Sequence, residues 1–165
     1  RDAQESRGLG DVYKRQLFGD IAFRQNRTEE AFAYYDKALE NNPQNYGALN
    51  NYSYYLALLG KNLDKAERMS GEVIKANPDN ATYLDTYAWV YFKQGRYSLA
   101  RLYLKKALDL SKEASAEMYE HYGDVLAVTG NESEAVGWWK KAVDAGGDSE
   151  ILHRKIAEKR YIGNE

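Results

Sequence analysis

One small residue recurs along this sequence at a fixed interval: Ala31, Ala66, Ala100 and Ala135, 34 or 35 residues apart. Four places after each stand Tyr35, Ser70, Leu104 and Trp139, large side chains in every case but Ser70. A period of this length held along a chain means one supersecondary unit copied and stacked. Each copy buries its apolar side against its neighbours, with no single central core.

Composition narrows what that unit is made of. Proline occupies two of 165 positions, and 44% hydrophobic with 13% aromatic residues supply ample apolar surface to offset the entropy of ordering. Helix is therefore favoured throughout, with the 29% charged residues as its solvated faces. A net charge of −2 and a pI near 5.8 lack the basic footprint of a nucleic-acid binder. No apolar run approaches the ~18 residues of a membrane span. The absence of cysteine excludes disulfides, thiolate chemistry and cysteine-ligated metals.

Residues 1–16, RDAQESRGLGDVYKRQ, stand apart. They carry two glycines and no helical periodicity, and resemble the translation of sequencing-adapter DNA. They are expected to be a non-native segment, set aside from fold reasoning as a fusion scar would be. The rest is then expected to be the C-terminal part of a longer protein.

From Leu17 onward two further small series accompany the alanines. Gly19, Ser53, Ala88 and Gly123 fall in the first helix of each unit, and Ala38, Val73, Ala107 and Ala142 late in the second. Small residues at facing positions let helix axes approach closely. Leu49, Tyr52 and Leu56, then Leu84, Tyr87 and Tyr91, then Tyr119, Tyr122 and Leu126 fill the space between at helical spacing. Asn26, Gly60, Gly95 and Gly130 sit where a helix end favours positive φ. Pro43 and Pro78 stop second helices, and Asn131 with Glu134 suggests a capping box.

This pattern resembles the tetratricopeptide repeat, a 34-residue helix-turn-helix. The resemblance implies an all-α solenoid of four repeats, 17–45, 46–80, 81–114 and 116–147, followed by a capping helix and tail over 148–165. Ser70, the extra Asn62, and Lys112 and Gly147 at positions usual for proline depart from the pattern. In the cap, Asp148 or Ser149 can open a helix to about Tyr161, with Ile151, Leu152 and Ile156 inward. Arg154, Lys155, Glu158, Lys159 and Arg160 are expected to face water. The last stretch is similar to bacterial members of the family.

Nothing in the sequence assembles catalytic chemistry. The two histidines, His121 and His153, have no i,i+4 histidine partner and read as partly exposed helix residues. There is no phosphate loop, nucleophile elbow or zincin helix, so no enzyme activity, cofactor or metal is expected. Four Asn-x-Ser/Thr triplets occur, at Asn26, Asn51, Asn80 and Asn131; three lie in turns where such residues serve as caps, so they read as capping residues rather than glycan sites.

The resemblance places function on the concave face lined by first helices. Its candidate peptide-binding residues are Asn50, Tyr54, Asp85, Trp89, Phe92, Glu120 and Asp124. With Asp20, Arg24, Lys93 and Glu117 the face carries five acids against two bases, which suits a segment bearing basic and apolar residues. Some family members clamp a terminal carboxylate with Lys, Asn and Arg. The matching positions here carry Gln16, Asp20, Asn51, Thr82 and Thr86, or Asn50, Tyr54, Thr86, Glu117 and His121, so that clamp is missing. The expected role is a non-enzymatic scaffold for a protein or peptide, with no nucleic acid and no membrane span involved. The alternatives are the structural end of a longer array or, less favoured, an RNA-binding helical repeat.

Overall fold

The computed structural model describes residues 2–163, with backbone alone at 2–9, 11 and 12. Among these residues there are nine helices and no strand. They are α1 Asp2–Arg24, α2 Thr28–Asn41, α3 Tyr46–Leu59, α4 Leu63–Ala76, α5 Ala81–Lys93, α6 Tyr97–Leu110, α7 Ala116–Val128, α8 Glu132–Asp144 and α9 Glu150–Glu158. The chain divides into two compact units, residues 1–73 and 74–165.

The turns repeat as faithfully as the helices. Backbone N–H groups of Arg27, Lys61, Arg96, Asn131 and Gly147 each donate five residues back, to Ala22, Leu56, Tyr91, Leu126 and Ala142, at 2.8–3.0 Å. This is the bond pattern of a helix closed by a left-handed residue, and Asn26, Gly60, Gly95 and Gly130 have φ of 60–88°. The side chains of Asn45, Asn80, Ser115 and Ser149 cap α3, α5, α7 and α9, each accepting from the N–H three residues on.

The backbone is helical from Asp2, where two glycines tax the helix by about 1 kcal/mol each without forbidding it. One expectation about local structure is corrected. The capping box at Asn131 does not form. Its N–H, which Glu134 would have to receive, already donates to Leu126 O at 2.8 Å, and its side chain caps nothing.

Packing follows the three small series. Ala31, Ala66, Ala100 and Ala135 are fully buried, as are Ala38, Val73, Ala107 and Ala142. In the first unit, a Cβ added at Gly19 would lie 2.8 Å from the Tyr35 ring; in the second, one at Gly123 would lie 2.5 Å from the Trp139 ring. A bare Cα at those points lets the two largest fully buried side chains lie flat on the facing helix. Leu84, Ala107 and Met118 form the heart of a further cluster in the second unit. The last helix is shorter than expected, ending at Glu158 with Lys159 left-handed at φ 54°.

Candidate functional site

In the second unit, the first helices α5 and α7 and the cap helix α9 present a row of polar and aromatic residues to one another. The recurring position that holds Asp20, Tyr54, Trp89 and Asp124 follows directly on the small first-helix series, and at both ends of the chain it is an aspartate. Each aspartate accepts a bond from the residue fifteen places on, Tyr35 OH to Asp20 and Trp139 Nε1 to Asp124, the latter at 3.0 Å. Both thereby tie the first helix of a repeat to its second. Asn51 Nδ2 reaches Asp20 from the next first helix at 3.0 Å.

Asp124 is buried, and it is not alone. Lys155 Nζ from α9 lies 2.8 Å from Asp124 Oδ1 and 2.9 Å from Glu120 Oε1, so one ammonium bridges two carboxylates one helical turn apart. Burial pushes the Asp124 carboxyl up to about 6; the ammonium, by charge and hydrogen bond, pulls the other way. Lys155, expected to face water, is 4% exposed. That expectation is corrected: its partners, not solvent, hold the charge.

A related pair occurs one repeat earlier. His121 Nδ1 lies 2.9 Å from Asp85 Oδ1, both residues are buried, and Glu117 Oε1 stands 3.9 Å from the other ring nitrogen. Burial alone would lower the His121 pKa, but the Asp85 carboxylate raises it by charge and hydrogen bond, and the net direction is up. The expectation of a partly exposed His121 is therefore corrected.

Trp89 stacks on the His121 ring at 3.9 Å between centroids, and Phe92 on Trp89 at 4.4 Å. Trp89 Nε1 is buried with no acceptor among the described residues. Tyr161, from the segment after α9, meets Phe92 edge-on at 5.3 Å, and Lys155 Nζ sits 5.4 Å from the Tyr161 ring centroid.

Of the seven residues the sequence pointed to, five belong to this assembly. Asp85, Trp89, Phe92 and Asp124 are buried, and Glu120 is half-buried. Asp85 and Asp124 are engaged inside the protein and Glu120 is bonded by Lys155, so the most exposed acid of this face is Glu117. Asn50 and Tyr54 lie in the first unit. Asn50 is buried, donating to Asn51 Oδ1 at 3.3 Å, and the Tyr54 ring tilts against Tyr55. Sequence reasoning missed His121, Lys155 and Tyr161 as members of the site. The first two carried a signal: Asp85 to His121 is 36 residues and Glu120 to Lys155 is 35, both one repeat.

Among the described residues no group of three or more His, Cys, Asp or Glu is arranged to hold a metal ion. No described helix is long and apolar enough to cross a membrane.

Comparison with known proteins agrees with this architecture. The tetratricopeptide repeat family model matches over residues 17–81, 55–115 and 87–150. The TPR repeat-containing protein MJ1428 of Methanocaldococcus jannaschii is 32% identical over 134 residues, 81% of this chain. The TPR repeat-containing protein PA4667 of Pseudomonas aeruginosa is 32% identical over 82 residues, half of this chain. The chain spans 23% and 14% of the length of those two relatives. Among solved structures, Pseudomonas aeruginosa pilF superposes with a TM-score of 0.76 at 19% identity, over 92% of this chain and 68% of that one. YrrB, described as a TPR protein with an unusual peptide-binding site, superposes with a TM-score of 0.63 at 22% identity, over 94% of this chain and 78% of that one. Repeat period, helix pairing and matched span together place the chain in the tetratricopeptide repeat family, whose fold generally mediates protein–protein interaction.

Proposed function

We propose that the chain is a protein-interaction scaffold that holds a peptide segment against the α5–α7 face of its second unit. The observation that carries this reading is Trp89: buried and stacked between His121 and Phe92, it has an indole N–H with no acceptor among the described residues. A buried donor left unpaired is unfavourable by about 1–3 kcal/mol, and a ligand that opens this face and brings a carbonyl to the indole would remove that penalty. Glu117 and Glu120 border the row and favour a segment with basic as well as apolar residues. A shallow face of this kind suits micromolar binding, about −8 kcal/mol.

Panning a random peptide library on the chain tests this. Enriched sequences should lose affinity on Trp89→Ala chiefly through a faster off-rate, the signature of lost aromatic contact. Hits that ignore Trp89→Ala and Phe92→Ala would refute the site, and a library that yields no enrichment would refute the function. Asn50 and Tyr54 enter this proposal only as a separate patch of the first unit.

A second reading, the structural end of a longer array, is supported by α1. Tyr13, Leu17 and Ile21 follow at four-residue spacing and are 73%, 52% and 39% exposed, the stripe a neighbouring helix would cover. Binding of an environment-sensitive dye that is lost on Leu17→Glu would support that reading, and unchanged binding would remove it.

A further inference from the structure

The segment after α9 returns to the face just described. Lys159, in the left-handed region that residues with a Cβ disfavour, turns the chain back, and Tyr161 and Ile162 are half-buried although they belong to no helix. The Tyr161 ring stands edge-on to Phe92, whose other neighbours are Trp89 at 4.4 Å and Tyr97 at 5.3 Å. On its remaining side is the Lys155 ammonium. Among the described residues, no backbone hydrogen bond fastens Tyr161 or Ile162 to the helices. The tail is therefore held by its side chains, chiefly one aromatic ring. The local sequence, Lys159-Arg160-Tyr161-Ile162, combines basic and apolar residues as the partner of this face is expected to do.

We propose that Tyr161 is an internal stand-in for the ligand: the recess between Phe92, Tyr97 and Lys155 is the primary recognition pocket, and it takes a tyrosine followed by an aliphatic residue from a partner peptide that displaces the tail. This rests on the reading that the α5–α7 face binds peptides. The chemistry of the recess selects for an aromatic ring. Its walls are aromatic, which favours edge-to-face contact, and a cation lies against the ring. Burial, then the nearby Asp124, Tyr97 and Glu120, push the Tyr161 phenol up to about 12, so the occupant stays neutral. Because the tail is tethered beside its own pocket, it competes as an intramolecular ligand at high effective concentration. An incoming peptide binds more weakly than the pocket itself allows.

The test uses the full chain with Tyr161→Ala/Ile162→Ala and a fluorescein-labelled peptide spanning residues 158–163, read by fluorescence anisotropy. The vacated chain should bind the peptide at micromolar concentration, and the wild-type chain at least tenfold more weakly. A peptide with alanine for tyrosine should not bind, and neither should the vacated chain carrying Phe92→Ala. The single variant Tyr161→Phe should stay as closed as wild type, which guards against a folding effect of the double change. If the vacated chain keeps its helicity yet does not bind the peptide, Tyr161 is a structural lid and the proposal falls. It also falls if wild type and vacated chain bind alike, or if wild type dimerises with concentration and loses this on Tyr161→Ala, since the occupant would then be a second copy. Library hits on the vacated chain that depend on Trp89 but carry no aromatic–aliphatic pair would overturn this inference and leave the peptide-binding reading standing. An absence of hits would end both.

Discussion

Lys155→Met removes one charge from a deeply enclosed ion pair while keeping nearly the same volume. The Asp124 side chain is 2% exposed and that of Lys155 5%, so no water replaces the lost ammonium. Deleting one partner of such a pair destabilises by about 3–5 kcal/mol, because the remaining charge is left uncompensated. Here the cost has an exit. The Asp124 carboxyl is already pushed up to about 6 by burial with Lys155 in place, and without it the protonated form is favoured further. A group whose folded pKa lies above its unfolded value stabilises the fold when protonated and loses that contribution as pH rises through the folded pKa. The variant should therefore be about 3 kcal/mol less stable than wild type at pH 8.5, and less than about 1 kcal/mol less stable at pH 5, where Asp124 is neutral in both. Adding Asp124→Asn should recover most of the loss at pH 8.5, since Glu120, with a quarter of its side chain exposed, can turn to solvent. Urea unfolding followed by tryptophan fluorescence reads this directly, because Trp139 donates to the same carboxylate. A loss at pH 8.5 below about 1 kcal/mol, or one that is the same at both pH values, would refute the argument that this pair is desolvated and coupled.

Two glycines in the same repeat should respond with opposite sign. Gly123→Ala places a Cβ 2.5 Å from the Trp139 ring and 3.1 Å from Ala135 O, and should destabilise by about 1–3 kcal/mol. Gly137→Ala, in α8 with open space around the new atom, should stabilise by about 0.5–1 kcal/mol. Both are read as shifts in a urea midpoint, and equal signs would mean the close approach at Gly123 is misplaced. Trp139→Ala empties a fully buried site and should cost about 3–5 kcal/mol in the same assay, with near-neutrality showing the packing register to be wrong. In a His153→Gln background, the remaining histidine resonance should titrate above 6.5, and Asp85→Asn should bring it down. The raised folded pKa means this pair supports the fold fully below about 6.5 and progressively less as pH rises through the folded value. A titration at or below 6.5 would refute the pairing.

The parts of this molecule that depend on spacing were legible, and those that depend on which neighbour covers a face were not. The alanine period located the helix pairs, because a small residue opposite a large one is needed at every tight crossing. Asn26, Gly60, Gly95 and Gly130 located the turns, because each must hold positive φ. Lys155 shows where residue type misled. Ile151, Leu152, Lys155 and Ile156 lie on one stripe of α9, so the helical period already placed Lys155 inward; its charge argued for water, and the period was right. The cost of burying that charge is met across the repeat boundary by Glu120, 35 residues earlier, as Asp85 meets His121 at 36. In this array both buried cations find their complements on the equivalent helix of the preceding repeat, at or near the repeat offset, since that helix is the neighbour that packs against them. Reading charges at that offset, and not only within one helix, would have found both pairs. It would not have found Tyr161. A tail outside any helix has no period, and its place follows only from the recess that Phe92 and Tyr97 leave beside Lys155.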